Sequence, residues 1–241
     1  MIEVRGLRFR YDDGTLALDG VDFQLFPGET VALFGRNGSG KTTFVHHLNG
    51  LLAGEGFVSV CGLQVEKRNL PAVRRKIGLV FQDSDEQLFM PTVIEDVAFG
   101  PLNRGQDTTA AMETARQALR DVGLEALAGR APYHLSAGEK KRVALAGILA
   151  MEPEILVLDE PTSALDVSVQ QQVLALLSEL QQRHGLSYLF ISHDLAVIRA
   201  MAHRVMVMKA GLLVEEGETL ALFAAPQQAY TQALLAAAHL A

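Results

Sequence analysis

Hydrophobic positions change period several times along this chain, and each change marks an element. Glu3-Val4-Arg5 and Leu7-Arg8-Phe9-Arg10-Tyr11 alternate apolar and polar residues, as half-buried strands do. Asp12-Asp13-Gly14 is a turn signal, and alternation resumes over residues 17–25, up to Pro27-Gly28. Residues 1–27 therefore read as an antiparallel β subdomain. Thr30–Phe34 is instead a continuous apolar run, the mark of a buried strand, and 43–52 reads as the helix after it. Residues 57–61 and 77–81 predict short strands, separated by a basic helical piece over 71–76.

From 84 to about 150 the pattern turns helical. Met112, Ala115, Leu119 and Val122 share one helix face, and Gly123 can end that helix. Apolar strands follow at 155–158 and 188–191, on either side of an amphipathic helix over 166–183 with Val169, Val173, Leu176, Leu177 and Leu180 on its stripe. Closing strands at 204–208 and 212–216 flank Lys209-Ala210-Gly211, and a helical tail starts near Pro226. The expected fold is α/β in one domain, 1–241. A parallel-sheet core spans 28–83 and 151–241, with a helical insertion subdomain over 84–150 beside the antiparallel β subdomain.

Composition narrows the class. With 49 % hydrophobic and 20 % charged residues the chain is globular rather than disordered. A net charge of −7 argues against nucleic acid as a partner. No apolar run approaches a membrane span, and Met1-Ile2-Glu3-Val4-Arg5 begins a strand rather than a secretory apolar region. The single cysteine, Cys61, excludes an internal disulfide and reads as a small buried hydrophobe. A soluble cytoplasmic protein is expected, unless a partner holds it on a membrane.

The chemistry centres on Gly35-Arg36-Asn37-Gly38-Ser39-Gly40-Lys41-Thr42-Thr43, which fits G-x-x-x-x-G-K-[ST] between a strand and a helix. Glycines here let successive backbone N–H groups turn inward around anionic oxygens, and the helix start adds free donors and a positive dipole end. In such a triphosphate cradle Lys41 would neutralise the β- and γ-phosphates, and the Thr42 hydroxyl would meet Mg²⁺. No N-K-x-D segment is present to read guanine, which leaves adenine. Tyr11 is either an ordinary sheet aromatic or, beside the cradle, a flat platform for the purine. Gln82 follows a strand, where it could ligate Mg²⁺ or position water. Asp159-Glu160 leaves the carboxyl end of another strand: one acid there can hold Mg²⁺ while the next orients and deprotonates water. His193 leaves the same sheet edge, within reach of a γ-phosphate. Ser136 and Glu139 match the S-x-x-E capping box, which local physics alone explains, but a capped helix start with Gly138 nearby is also a second anion site.

Taken together these residues resemble an ATP-binding-cassette ATPase over essentially the whole chain. The matching segments are the P-loop, the glutamine loop at Gln82, the signature Leu135-Ser136-Ala137-Gly138-Glu139, the acidic strand ending in Asp159-Glu160, Ser163-Ala164-Leu165-Asp166, and His193. The resemblance implies a P-loop NTPase core with ATP and Mg²⁺ as cofactors. It implies nucleotide contacts from Gly35, Asn37, Gly38, Ser39, Gly40, Lys41, Thr42, Thr43 and Asp166, with adenine on Tyr11. It further implies Mg²⁺ on Thr42, Gln82 and Asp159, Glu160 as general base and His193 as γ-phosphate sensor. A head-to-tail dimer, most simply a homodimer, would close Ser136 and Gly138 of one copy on the nucleotide of the other. Ala137 departs from the usual pattern, in which that position is glycine.

Two importer subfamilies share the finer likeness. Phe81-Gln82-Asp83-Ser84-Asp85-Glu86-Gln87-Leu88-Phe89, residues 95–103 and residues 138–147 resemble energy-coupling-factor ATPases, especially the cobalt/nickel type. Residues 162–170 and the tail 226–235 are similar to oligopeptide/nickel importer ATPases. The expectation is the ATP-hydrolysing motor of a membrane importer, at the cytoplasmic face, with integral membrane subunits as partners and no nucleic acid. The energy-coupling-factor type leads, because the segment after Gln82 is where the family meets its membrane partner. A soluble cassette ATPase of DNA repair or translation would carry a long coiled-coil insertion or a second cassette, and neither is present in the chain.

Overall fold

Strands that are apolar at every position need cover on both faces, and here they receive it. The structure, a computed structural model, describes residues 1–163 and 165–239; Ala164, inside the Ser163–Asp166 segment singled out above, lies outside the described residues. The first part of the chain runs β1 (Ile2–Arg10), β2 (Leu16–Leu25), β3 (Thr30–Phe34), α1 (Lys41–Leu48), β4 (Glu55–Val60), β5 (Leu63–Gln64), α2 (Leu70–Lys76) and β6 (Ile77–Val80). Three helices follow, α3 (Val93–Asn103), α4 (Thr108–Asp121) and α5 (Ala137–Leu149). The remainder is β7 (Ile155–Asp159), α6 (Val167–His184), β8 (Ser187–Ile191), α7 (Leu195–Met201), β9 (Arg204–Lys209), β10 (Leu212–Glu218), α8 (Thr219–Ala224) and α9 (Ala229–His239).

Six strands form the central sheet in the order β10-β9-β3-β8-β7-β6, all parallel except the β9–β10 pair. Alternation divides its side chains between two cores. Val31, Leu33, Ile155, Val157, Leu189 and Ile191 pack toward the antiparallel sheet and α1. Ala32, Phe34, Leu156, Leu158, Tyr188 and Phe190 pack toward the helices on the other side.

The antiparallel sheet has the order β2-β1-β4-β5, so it is not confined to residues 1–27. Strands β4 and β5, inside the stretch expected to belong to the core, join it because Ile2 pairs with Val60 and Val4 with Val58. The register of β1 slips between Val4 and Leu7 at Gly6, whose φ is +59°. That slip moves the inward positions from Ile2 and Val4 to Leu7, which explains why the alternation restarts in the sequence. Helix α1 begins at Lys41 rather than Thr43 and stops at Leu48 rather than Leu52, where Gly50 turns left-handed at φ +68°. Cys61 packs against the core but is only half-buried: it sits at φ +49° in the turn after β4, and its thiol donates to Glu154 at 3.4 Å.

In the helical part, Asp107 caps α4 by accepting from the Ala110 N–H at 3.0 Å. The buried face of α4 carries Ala111, Ala115, Ala118 and Leu119, with Val122 just beyond its end and Gly123 at φ +71°. Among the described residues no helix is long and apolar enough to cross a membrane.

One contact fixes how the helical part meets the sheet. A Cβ added at Gly78 of β6 would lie 2.1 Å from Cγ2 of Ile148 on α5, a branched and therefore stiff neighbour. Gly78→Ala should overpack this seam and destabilise the protein by about 1–3 kcal/mol. For a chain of this size the melting temperature should fall by roughly 2–4 °C per kcal/mol. Thermal unfolding followed by circular dichroism checks it; an unchanged midpoint would mean that β6 and α5 can separate freely.

Candidate active site

The chain leaves the sheet at Phe34, turns through residues 35–40 and enters α1 at Lys41. Two glycines in this turn are sterically required. A Cβ at Gly35 would lie 2.3 Å from the Met208 carbonyl oxygen, and one at Gly40, at φ +102°, 2.6 Å from that of Ala17. Gly40 is also the residue that caps α1, so the unpaired N–H groups of the first helical turn open onto the loop. The Lys41 ammonium bridges the turn, donating to Gly35 O at 2.8 Å and Arg36 O at 3.1 Å. Burial pulls its pKa down, while the fields of Glu160 and Asp159 oppose that shift. Tyr11 stands beside the loop with its hydroxyl 2.9 Å from the Thr43 Oγ1. Its ring meets Phe9 edge-on at 4.9 Å.

These residues line a cleft of about 1000 Å³ whose walls include Tyr11, Gly35, Asn37, Gly38, Lys41, Thr42, Thr43, Gln82, Asp159, Glu160 and His193. Four adjacent strands of the sheet end there: β3 delivers the loop, β6 Gln82, β7 the acidic pair and β8 His193. Part of the wall comes from the tail, through Leu234 and Ala237 of α9. That helix is anchored at its start by the Glu215 carboxylate, which accepts from Gln227 N at 2.7 Å and Gln228 N at 3.2 Å. Its Tyr230 hydroxyl accepts from the Arg36 N–H at 3.4 Å, and the Lys209 ammonium lies 4.9 Å from the Tyr230 ring centre. Sequence patterning gave no sign that the tail reaches the cleft.

At the floor, the Thr42 hydroxyl donates to Asp159 Oδ2 at 3.3 Å. Burial raises the Asp159 pKa, and the Thr42 bond works against it. Glu160 is held on two sides: Gln82 Nε2 donates to its Oε2 at 3.2 Å, and His193 Nδ1 lies 3.2 Å from its Oε1. Its own N–H is tied to Ile191 O at 3.1 Å, and its φ of +44° is a left-handed conformation that a side chain rarely adopts. The cleft continues into a second hollow of about 800 Å³ that adds His46, Ser84, Ala137, Lys140 and Lys141.

Among the described residues, four sequence-predicted ones do not line the cleft: Ser39, which is buried inside the loop, and Ser136, Gly138 and Asp166, which stand apart from it. Ser136 completes its capping box: Ser136 N donates to Glu139 Oε2 at 2.7 Å and Glu139 N to Ser136 Oγ at 3.3 Å. A Cβ at Gly138 would meet Val169 Cγ1 at 2.4 Å, so this glycine lets α5 approach α6 closely. Asp166 caps α6 by accepting from Val169 N at 3.0 Å. Lys141 was missed, though a signal existed. It falls on the buried stripe Gly138, Lys141, Leu145 and Leu149 of α5, where a lysine is out of place.

With the geometry described, comparison with known proteins places the chain. Residues 18–163 match the family model for the ABC transporter. The energy-coupling factor transporter ATP-binding protein EcfA of Methanothermobacter thermautotrophicus is 47 % identical over 226 residues, covering 92 % of this chain and 72 % of that protein. The solved structure of cbiO1 from Clostridium perfringens, part of the ABC transporter complex cbiONQ, superposes with a TM-score of 0.85 at 36 % identity, over 92 % of this chain and 90 % of that one. The ATP-binding cassette MJ0796, in a dimeric post-hydrolysis state bound to ADP and Pi, gives 0.80 at 29 % identity over 91 % and 99 %. The chain therefore belongs to the ABC transporter family, as one of its ATP-binding subunits.

Proposed function

We propose that this chain is the ATP-hydrolysing motor of a membrane importer of the energy-coupling-factor type, serving uptake of cobalt or nickel ions. The observation that carries the hydrolytic part is the Glu160 carboxylate, held between Gln82 and His193 at the mouth of a phosphate-sized loop. Thr42, Asp159 and the side-chain amide oxygen of Gln82 form a set of hard oxygen donors that suits Mg²⁺. When bound, that ion would neutralise charge on the β- and γ-phosphate oxygens.

In this reading, Lys41 and the amides of the loop hold the phosphates, and Tyr11 supports the adenine. Glu160 takes the proton of the attacking water, with Gln82 and His193 fixing the direction of its carboxylate. The left-handed Glu160 backbone opens a turn in which its carbonyl accepts from Ser163 N at 3.0 Å, so the carboxylate leaves at the end of β7. Ser136, exposed at the start of α5 outside its own cleft, would meet the nucleotide of a second copy in a head-to-tail dimer, with the Gly138 backbone and Asp166 near the same junction. The dimeric state of MJ0796 supports this assembly. The printed names of EcfA and cbiO1, together with the residues after Gln82, support the subfamily.

Contact with integral membrane subunits, which would hold the motor at the cytoplasmic face, is assigned to the segment after Gln82. Phe89 is 62 % exposed and meets Phe99, 40 % exposed, edge-on at 4.9 Å. Asp96 pins the turn beneath them by accepting from Phe89 N at 3.3 Å and Met90 N at 3.0 Å. An exposed aromatic pair on a pinned turn fits an apolar socket in a partner.

Two experiments test these assignments. Glu160→Gln should retain ATP binding and lose ~10²–10⁴-fold in hydrolysis rate, the usual worth of a general base; Lys41→Ala should weaken nucleotide binding instead. A Glu160→Gln protein that turns over at the parental rate removes Glu160 from this role. Phe89→Asp should leave the ATPase of the isolated subunit within about 2-fold of the parent, as expected of a surface change, yet abolish co-purification with energy-coupling-factor membrane subunits. If the unsubstituted chain co-purifies with an oligopeptide permease pair and ignores the energy-coupling-factor one, the subfamily assignment fails.

A further inference from the structure

Lys141 is 7 % exposed, and its ammonium meets backbone rather than a carboxylate. It donates to the carbonyl of Gln82 and, at 3.5 Å, to that of Phe81. Asp83, Asp159 and Glu160 act on it only through their fields. A buried charge without a paired acid is expensive, and a site that needed only packing would take methionine or leucine. The neighbouring Lys140 reaches the far side of the same segment, pairing with Asp85 at 2.6 Å. Two consecutive lysines of α5 thus hold residues 81–85 from both ends.

The same helix begins at Ser136, five residues before Lys141, or about 7.5 Å along the axis. A helix over that length moves as a rigid rod. Whatever draws the start of α5 toward a second molecule therefore draws the Gln82 backbone with it, and Gln82 is one of the two groups holding Glu160.

We propose that Lys141 is a positioning residue that clamps the Gln82 backbone to α5, so that the nucleotide bound by a second copy at the start of α5 sets the place of Gln82 in the first copy's own cleft. This rests on the reading above, in which Ser136 and Gly138 meet the partner's nucleotide. Lys141 touches no reacting atom. It makes the two clefts of a dimer answer to each other.

The test uses the Glu160→Gln protein, in which hydrolysis does not deplete the dimer. Affinity for a fluorescent ATP analogue with Mg²⁺ is measured on the dilute monomer, and ATP-driven dimerisation by sedimentation velocity. Adding Lys141→Met should leave monomer affinity within about 2-fold, because the phosphate loop and Lys41, which hold the nucleotide in the monomer, are untouched. The ATP concentration for half-dimerisation should rise roughly 10-fold or more, the equivalent of one charge-assisted hydrogen bond. With Glu160 intact, Lys141→Met should lower kcat at unchanged KM and reduce the Hill coefficient for ATP toward 1. Lys141→Arg, which keeps charge and donors, should restore all three. If Lys141→Met is unfolded at the assay temperature, Lys141→Gln takes its place with the same expected shift.

Unchanged dimerisation and an unchanged Hill coefficient overturn the clamp alone. A Glu160→Gln parent that binds ATP but stays monomeric overturns the reading of the second site, and the clamp with it.

Discussion

A sheet that is apolar on both faces has room for charge only where its strands end. In this chain β3, β7, β8 and β9 are buried from side to side, and Tyr188, the one strand residue with a hydroxyl among the largest buried side chains, spends it on Leu177 O at 2.8 Å. Ionisable groups are consequently kept to the strand ends: the Glu29–Arg204 pair lies at the amino edge, and at the carboxyl edge adjacent strands bring four segments to one line. Crowding there has an electrostatic result. Lys41 and Asp159 are both poorly hydrated, so burial pushes each toward its neutral form, while each other's field favours the charged one. The site is thus most comfortable when polyvalent anions and cations take the place that water has been denied.

That same dependence on strand ends explains what the sequence could reveal. Strands β3, β7 and β8 were legible as short continuous apolar runs, and candidate site residues stand within two positions of the end of each: Gly35, then Asp159 and Glu160, then His193. The capping box at Ser136 was legible as local chemistry, and the structure shows its bonds made; the cap that Asp166 supplies to α6 was not read from the sequence. What was hidden required knowledge of who sits opposite. Residues 55–64 join the antiparallel sheet because of their pairing with β1, which no local pattern encodes. That Val169 of α6 lies against Gly138 is likewise a matter of pairing that no local pattern encodes. Lys141 looked like one more basic residue in a helical run, and only its place on a buried stripe marked it as different.

Strain and restraint meet at Glu160. A left-handed backbone at a residue with a long side chain is retained only where the surroundings over-determine it, and here an N–H bond to β8 and two side-chain contacts from separate strands do so. Removing either lateral contact would let the carboxylate swing without unfolding anything. Its direction, rather than its presence, is the adjustable quantity.

The contribution of α9 to the cleft has a consequence for the order in which the site comes into being. Arg36 and Tyr230, which meet at the rim, are separated by 194 positions in the chain. Chains are synthesised from the amino terminus at about 5–20 residues per second. The phosphate loop, encoded early, must therefore wait roughly ten seconds or more for the wall supplied by Leu234 and Ala237. Only the last few seconds of that interval, once β8 and β9 flank β3, leave an open-sided cleft, and a nucleotide that reaches it then does so before the tail helix can shape its fit.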